Sequence, residues 1–462
     1  MNIPRLRSVP IGRRGHDARD QVRLNGIVPR HEPPKLDAAS ARPAHADIKR
    51  TSEGVCVDGD SDSKPRLLVV KGTFEQVGGA ERDLLNNLQA WQEHFEITLT
   101  SLHLPQEARD LLESLDILFL TPALPWRKPT GGWAEFRALA SRQASNRWWN
   151  MLELTEQGLR LHDVLATSDV VHLTSGVASL EFSQMVPKDL PVHYHCLEPH
   201  RGLHEDVLHR MIDGAPKQNL ALTKFLLGKQ RRRDMSMTHD LVDRSNSAIS
   251  GNSPWIQQRI KSVYNEDSGL LWPSVNLDVW SGDCPEPEMR VVAIGSASYA
   301  KGTMDTIDML SGTDLVYHHV GGGSDEDLAK LQRHATQKGV EFVVEPRLSQ
   351  EALVALVKGS LAVVSLARNE PFGLTPIEAQ AAGTPALMVD EGGYQHTVED
   401  GVSGRLLPRD DWQAWHAALE EAKDAERRAA WSKAGQESIA EMGLRPEDQA
   451  KNLSEIVSKL RD

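Results

Sequence analysis

The segment LAVVSLARNEPFGLTPIEAQAAGTPALMVD, Leu361–Asp390, reads as strand, turn, helix and second strand. Leu361–Ala367 is a continuous apolar run, the pattern of a strand buried on both faces. The loop Arg368–Leu374 leaves its carboxyl end, where open α/β sheets take their ligands. Thr375 can cap the following helix, with Pro376 at the first position and Gly383 just past its end. Thr375 and Glu378 also have the spacing of a capping box, in which the Glu378 carboxylate reaches back to the Thr375 amide. Glu370 has no such local duty. A carboxylate before Pro-Phe-Gly at a strand end is rarely needed for folding and points to a ligand.

Working outward, the same alternation recurs. RLLVV, Arg66–Val70, opens a sheet, and the chain passes through Gly78 and Gly79 into a helical pattern with Leu84, Leu85 and Leu88 on one side. FEITLTSL, DILFLTPAL, DVVHLTS, PVHYHCLEP, QNLALTKF and SAISGNS follow as short β-rich runs with helical stretches between most of them. The Pro- and acid-rich WSGDCPEPEMR, near residues 280–290, breaks the pattern before RVVAIGS, DLVYHHVGGG and VEFVVEP restart it. The predicted fold class is α/β, with two Rossmann-like, doubly wound parallel-sheet domains at residues 65–282 and 283–440. Residues 441–462 form a helix that covers the second sheet or returns toward the first domain. Residues 1–64, rich in Pro, Arg, Asp and Ser, cannot bury enough apolar surface to offset the entropy of ordering and are expected to be a disordered arm.

Composition narrows the function classes. Hydrophobic residues make up 40% and charged residues 25%, ordinary values for a soluble globular enzyme. With 52 Lys and Arg against 65 Asp and Glu, the net charge of -13 argues against general affinity for nucleic acid. Cys56, Cys196 and Cys284 are far apart and form no CxxC pair, so neither a disulfide framework nor a zinc knuckle is indicated. No long apolar run reads as a membrane span and the N-terminus lacks a secretory apolar stretch, so the expected location is cytoplasmic.

Free amides at Gly373, Leu374 and Thr375, with the helix dipole, favour a phosphate at the start of the helix. A carboxylate beside a phosphate would repel it, so Glu370 suits the hydroxyls of a neutral polyol. On the other side, His193 and His195 share one face of a strand. Cys196 points the other way and no carboxylate pair completes a metal site, so no metal is expected. LPWRKPTGGWAEFRALASRQASNRWWNMLEL brings Trp126, Trp133, Trp148 and Trp149 together with five basic residues. Tryptophan faces stack on sugars or lie at lipid headgroups, which makes Trp126 and Trp133 candidates for a sugar-stacking surface and the stretch a candidate for peripheral contact with a membrane surface. The competing explanation is an amphipathic helix packed on the sheet.

ARNEPFGLTPIEAQAAGTPAL, followed by DEGGYQHTVEDGVSGRLL, resembles the Glu-x7-Glu signature and glycine segment of glycosyltransferase family 4, retaining enzymes of the GT-B architecture. AIGSASYAKG, HVGGGSDEDLAKL, ISGNSPWIQQRIKSVY and GTFEQVGGAER resemble further segments of that family, and the likeness covers roughly residues 65–440. It implies two facing domains with a cleft between them. It also implies that Glu370 contacts the donor sugar, Glu378 the ribose and Lys301 the diphosphate. The amides of Phe372, Gly373, Leu374 and Thr375 would hold sugar and phosphate, while Gly78 and Gly79 allow close approach from the first domain. Two departures stand out. The family commonly has Arg where this chain has Ser296. In PVHYHCLEPHRG the family histidine falls on Leu197, which leaves His195 as the catalytic candidate on the acceptor side, with His200 and His172 lining the pocket.

The function expected from this resemblance is a retaining, metal-independent hexosyltransferase. It would move a sugar from a UDP-, GDP- or ADP-sugar to a glycan, lipid-linked or small-molecule acceptor, with no bound cofactor. A sugar-nucleotide-binding protein without transferase activity, or a GT-B epimerase or phosphorylase, is the alternative.

Overall fold

In strand β1 (Arg66–Lys71) all residues but the first are buried, as its unbroken apolar run requires of a strand covered on both faces. It belongs to a sheet with β2 (Glu96–Thr100), β3 (Leu118–Leu120), β4 (Val170–Thr174), β5 (Val192–Cys196), β6 (Ser247–Gly251) and β7 (Gly269–Leu270), in the order 3-2-1-4-5-6-7. A second sheet holds β8 (Glu288–Ile294), β9 (Val316–Val320), β10 (Phe342–Glu345), β11 (Ser360–Ser365), β12 (Ala386–Val389) and β13 (Arg405–Leu407), in the order 10-9-8-11-12-13. Every strand pairing is parallel. The structure is a computed structural model that describes residues 63–462 apart from 75–77, 128, 130–136, 139–141 and 283. The arm expected at residues 1–64 lies outside the described residues except for its last two.

Each sheet grows in both directions from an inner strand, so each has one point where the strand order reverses. That point falls between β1 and β4 in the first sheet and between β8 and β11 in the second. Loops leaving the carboxyl ends of the two strands diverge there and open a crevice. The crevice of the second sheet is flanked by the loops carrying Lys301 and Glu370.

Helices cover the sheets through their apolar sides. The glycine-loop helix, Gly79–Trp91, buries Leu84, Leu85, Leu88 and Trp91, and the last helix, Pro446–Arg461, completes that core with Ala450, Leu453 and Val457. Trp91 Nε1 donates to Gln449 Oε1 at 3.2 Å, and Gln449 Nε2 donates to the Trp272 carbonyl at 3.0 Å. The end of the chain is thus part of the first lobe's interior. Val291, Val292, Val363 and Val364 form the centre of the second core with Trp415 and Trp431.

QNLALTKF departs from expectation. Leu220–Leu226 is a short helix rather than a strand, and the Asn219 side chain caps it by accepting from the Leu222 amide at 3.0 Å. A side-chain cap satisfies a donor that apolar alternation does not register. Among the described residues no helix is long and apolar enough to cross a membrane.

Candidate functional site

At the second reversal point, Lys301 crosses Gly295, where a Cβ would lie 3.2 Å from the lysine stem. Its Nζ donates to Glu370 Oε2 at 2.7 Å. Burial alone would raise the Glu370 pKa. The cations of Lys301 and Arg201 outweigh it, so the carboxyl lies below its ordinary value and is ionised at neutral pH.

The loop that presents Glu370 is shaped by glycines. The Gly393 amide donates to the Glu370 carbonyl at 2.7 Å, and a Cβ on Gly393 would stand 2.5 Å from the Phe372 oxygen. Only a bare backbone fits so closely. Gly373 has φ +97°, in the left-handed region, and a Cβ there would meet the Tyr394 ring at 2.7 Å. Gly373 is therefore the N-cap of the motif helix Leu374–Ala381.

This corrects the expected helix start. Thr375 is the second helical residue and Pro376 the third, and the Thr375–Glu378 capping box does not form. The left-handed glycine begins the helix earlier than a threonine cap would. No side chain caps it, so the Leu374 and Thr375 amides stay available at the carboxyl end of β11. Glu378 is freed from backbone duty. It is 8% exposed, its carboxylate receives no hydrogen bond among the described residues, and burial lifts its pKa to about 7 against the pull of Arg82. Phe372 is buried and packs on Trp272 with ring centroids 5.5 Å apart.

The first lobe brings its own reversal point to the same cleft. Lys71, buried at the end of β1, donates to the Ser175 carbonyl beyond β4 at 2.8 Å and pairs with Glu81 at 3.4 Å. Glu81 also accepts from the Gly78 amide at 3.2 Å, which fixes the entry to the glycine-loop helix. Gly79 then abuts the other lobe, for a Cβ there would lie 3.3 Å from Leu374 Cδ1. The Ser253 hydroxyl donates to the Pro371 carbonyl at 2.5 Å, and Arg201 donates to the Arg368 carbonyl. These contacts seat the loops after β6 and β5 against the loop of Glu370. Glu198, at the end of β5, falls within electrostatic reach of Glu370, Arg201 and Lys301, and burial raises its pKa to about 7.

The acceptor-side candidates are placed differently from one another. His195 is 3% exposed and its Nε2 meets the Leu271 carbonyl at 3.1 Å. His172 Nδ1 lies 3.0 Å from His193 Nδ1, and His193 Nε2 lies 3.0 Å from Ser250 Oγ. Burial pushes the pKa of His172 well below its usual value, that of His193 to about 3 and that of His195 to about 4. His172 and His195 are thus neutral residues covered within the first lobe. Paired strands β4 and β5 put all three rings on one covered face.

His200 caps the short helix Arg201–His204 at the cleft end of β5, and its buried Nδ1 has no partner. Trp126 is 8% exposed and packs in the first-lobe core with Trp148. It is a packing residue there rather than an open stacking face. Trp133 lies outside the described residues. Ser296 is exposed beside Gly295. Among the described residues no three His, Cys, Asp or Glu side chains form a group that could hold a metal ion.

The residues missing from the sequence-based set are Lys71, Glu81, Arg82, Glu198 and Arg201. Glu81 and Arg82 lie within GGAER, and Glu198 and Arg201 within LEPHRG, so a signal existed. Charged residues just past a glycine turn or a buried strand were the cue.

The sequence model of the family described as "Glycosyl transferases group 1" matches residues 279–438, the part of the chain that forms the second sheet. The D-inositol 3-phosphate glycosyltransferase of Mycolicibacterium smegmatis is 29% identical over 220 residues, 44% of this chain and 50% of that protein. The protein of the same name in Streptomyces coelicolor is 40% identical over 115 residues, 24% of this chain and 25% of that protein. The chain spans about half or less of the length of these curated relatives. Among solved structures, sucrose-phosphate synthase from Thermosynechococcus elongatus superposes with a TM-score of 0.64 at 15% identity, covering 86% of this chain and 99% of that one. Anabaena HepE in complex with UDP and glucose gives a TM-score of 0.58 at 15% identity, covering 85% and 99%. The two parallel sheets and these superpositions establish a GT-B fold.

Proposed function

We propose that this protein is a retaining, metal-independent glycosyltransferase that uses a nucleotide-diphosphate sugar and an acceptor bearing a free hydroxyl. The observation that carries the reading is the grouping at the end of β11. An ionised Glu370 is held by Lys301 beside an uncapped helix start, with a buried Glu378 that accepts no hydrogen bond among the described residues one turn into that helix. A carboxylate pair bracketing free amides suits a ligand that has hydroxyls at both ends and phosphates between them. The family match to this half of the chain and the UDP named for HepE support a nucleotide sugar as that ligand.

In the reaction the bond between the sugar's anomeric carbon and the terminal phosphate oxygen breaks, and a bond to the acceptor oxygen forms on the same face. Negative charge develops on the departing diphosphate. The Lys301 ammonium and the uncapped Leu374 and Thr375 amides would stabilise it, and all three are held at the end of β11 before the donor arrives. Glu370 takes the sugar hydroxyls and Glu378 the ribose hydroxyls. Glu198 faces this centre from the first lobe, and a pKa near neutrality suits it to take up the acceptor's proton.

Incubating the pure protein with UDP-, GDP- and ADP-sugars and a library of hydroxyl acceptors tests the proposal. Binding of one donor, with transfer or slow hydrolysis that keeps the anomeric configuration, is expected. Failure to bind any donor refutes it, and tight binding with neither transfer nor hydrolysis favours a sugar-nucleotide-binding protein.

A further inference from the structure

Two helix starts from opposite lobes meet at one wall of the cleft. Gly79 opens the glycine-loop helix, and a Cβ added to it would lie 3.3 Å from Leu374, which opens the motif helix. Arg82 follows Gly79 by three positions, and Glu378 follows Leu374 by four. Each therefore stands on the same side of its helix as the contact residue, one turn further in. The Arg82 guanidinium and the Glu378 carboxylate face a shared space.

Arg82 is half-buried and its side chain makes no hydrogen bond or ion pair among the described residues. The adjacent carboxylate, Glu81, does not neutralise it, because Lys71 and the Gly78 amide already occupy Glu81. Glu378 does not close on it either, and that carboxyl keeps a pKa raised by burial. A partly desolvated guanidinium without a partner, beside a buried carboxylate without a partner, is costly for folding and is explained by a ligand that satisfies both. On the opposite wall the exposed Ser296 carries no charge, and Lys301 is already paired with Glu370. That lysine alone leaves most of a diphosphate's charge uncompensated.

We propose that Arg82 is the second cation of the donor site, reaching from the first lobe to the diphosphate of a nucleoside diphosphate while Glu378 holds the adjacent ribose. The inference rests on the donor reading of the cleft. Its chemistry is that of a planar fork of N–H donors, which can bind two phosphate oxygens at once. The ligand is then gripped by Lys301 from one lobe and Arg82 from the other. The bound donor then bridges the two lobes without any contact between the cations themselves.

The test uses the full chain and its Arg82→Gln, Arg82→Lys and Arg82→Gln/Ser296→Arg variants, titrated calorimetrically with UDP, GDP, ADP and the matching nucleosides. For whichever diphosphate the wild type binds, Arg82→Gln raises Kd about ten- to a hundredfold, the range for losing a charged hydrogen bond. Nucleoside affinity changes less than about threefold, because the nucleoside lacks the groups that Arg82 holds. Arg82→Lys retains part of the affinity, and the added Ser296→Arg recovers part of it from the opposite wall. The unliganded melting temperature of Arg82→Gln equals or exceeds that of the wild type, which separates a binding role from a folding one. Unchanged diphosphate binding in Arg82→Gln, or an equal loss for nucleoside and diphosphate, overturns this inference and leaves the donor reading standing. If the wild type binds no nucleoside diphosphate, both fall together.

Discussion

Lys301 Nζ and Glu370 Oε2 lie 2.7 Å apart although their loops leave different strands, and this contact spans the reversal point of the second sheet. The carboxylate stays ionised beside the lysine ammonium. On the proposed reading, an incoming diphosphate meets a cation held in place rather than one recruited from solvent.

Replacing Lys301 with Ala is expected to weaken donor binding by about 1.5–3 kcal/mol, the value of a charged hydrogen bond. Transfer should fall further, because charge on the diphosphate grows as the sugar departs. Titration calorimetry and steady-state rates measured on the same preparation separate the two effects. Donor affinity equal to the wild type would show that the lysine serves the loop rather than the ligand.

Glu378→Gln is expected to raise thermal stability while weakening donor binding. Its folded pKa, about 7, lies above the ordinary 4.5. The folded protein therefore holds that proton longer than the unfolded chain, and stability is lost as pH rises from about 4.5 through 7. Glutamine removes the penalty, so the gain in melting temperature should be a few degrees at pH 8 and smaller at pH 5. A variant that melts lower at pH 8 than the wild type would mean that the carboxylate is needed for the fold.

Glu198→Gln should leave donor binding nearly intact and reduce transfer. A base must be deprotonated to act, so the wild-type rate should climb with pH through about 7, the value to which burial lifts this carboxyl. The rate profile of the glutamine variant should be low and flat over that interval. An unaltered profile would remove Glu198 from the reaction.

The interior histidines predict a pH effect on folding alone. The folded pKa of His193, about 3, is below the ordinary 6.5. The unfolded chain takes up the proton first, so this histidine's contribution is complete above about 6.5 and is lost as pH falls toward 3. In that interval each such group costs about 1.4 kcal/mol per pH unit. The stability gap between wild type and His193→Gln, read from urea denaturation at pH 7.5, 6 and 5, should narrow as the solution is acidified. A constant gap would mean that His193 is protonated in the folded state.

Much of this was legible in the chain. The continuous apolar runs of β1 and β11 identified a parallel sheet, because no other common element needs apolar side chains on both faces. Glu370 was legible because nothing local explained it. Thr375 misled for a physical reason: a capping box is a statement about neighbours in sequence, whereas the position of Gly373 is enforced by Tyr394, a residue of the following segment. The burial of the histidines was not legible, because alternation tells which residues share a side of a strand and not whether another layer covers that side. The surroundings of Arg82 and Glu198 were not legible, because what a charged residue faces across the cleft is a property of the assembled lobes.

The lodging of Pro446–Arg461 against the opening helix has a practical corollary. The protein cannot be divided near residue 282 into two autonomous halves, since the upstream fragment would lack the closing wall of its own interior and the downstream one would carry an orphaned greasy helix. A truncation or bulky fusion at the C-terminus would accordingly be felt first at Gly78 and Gly79, at the other end of the polypeptide.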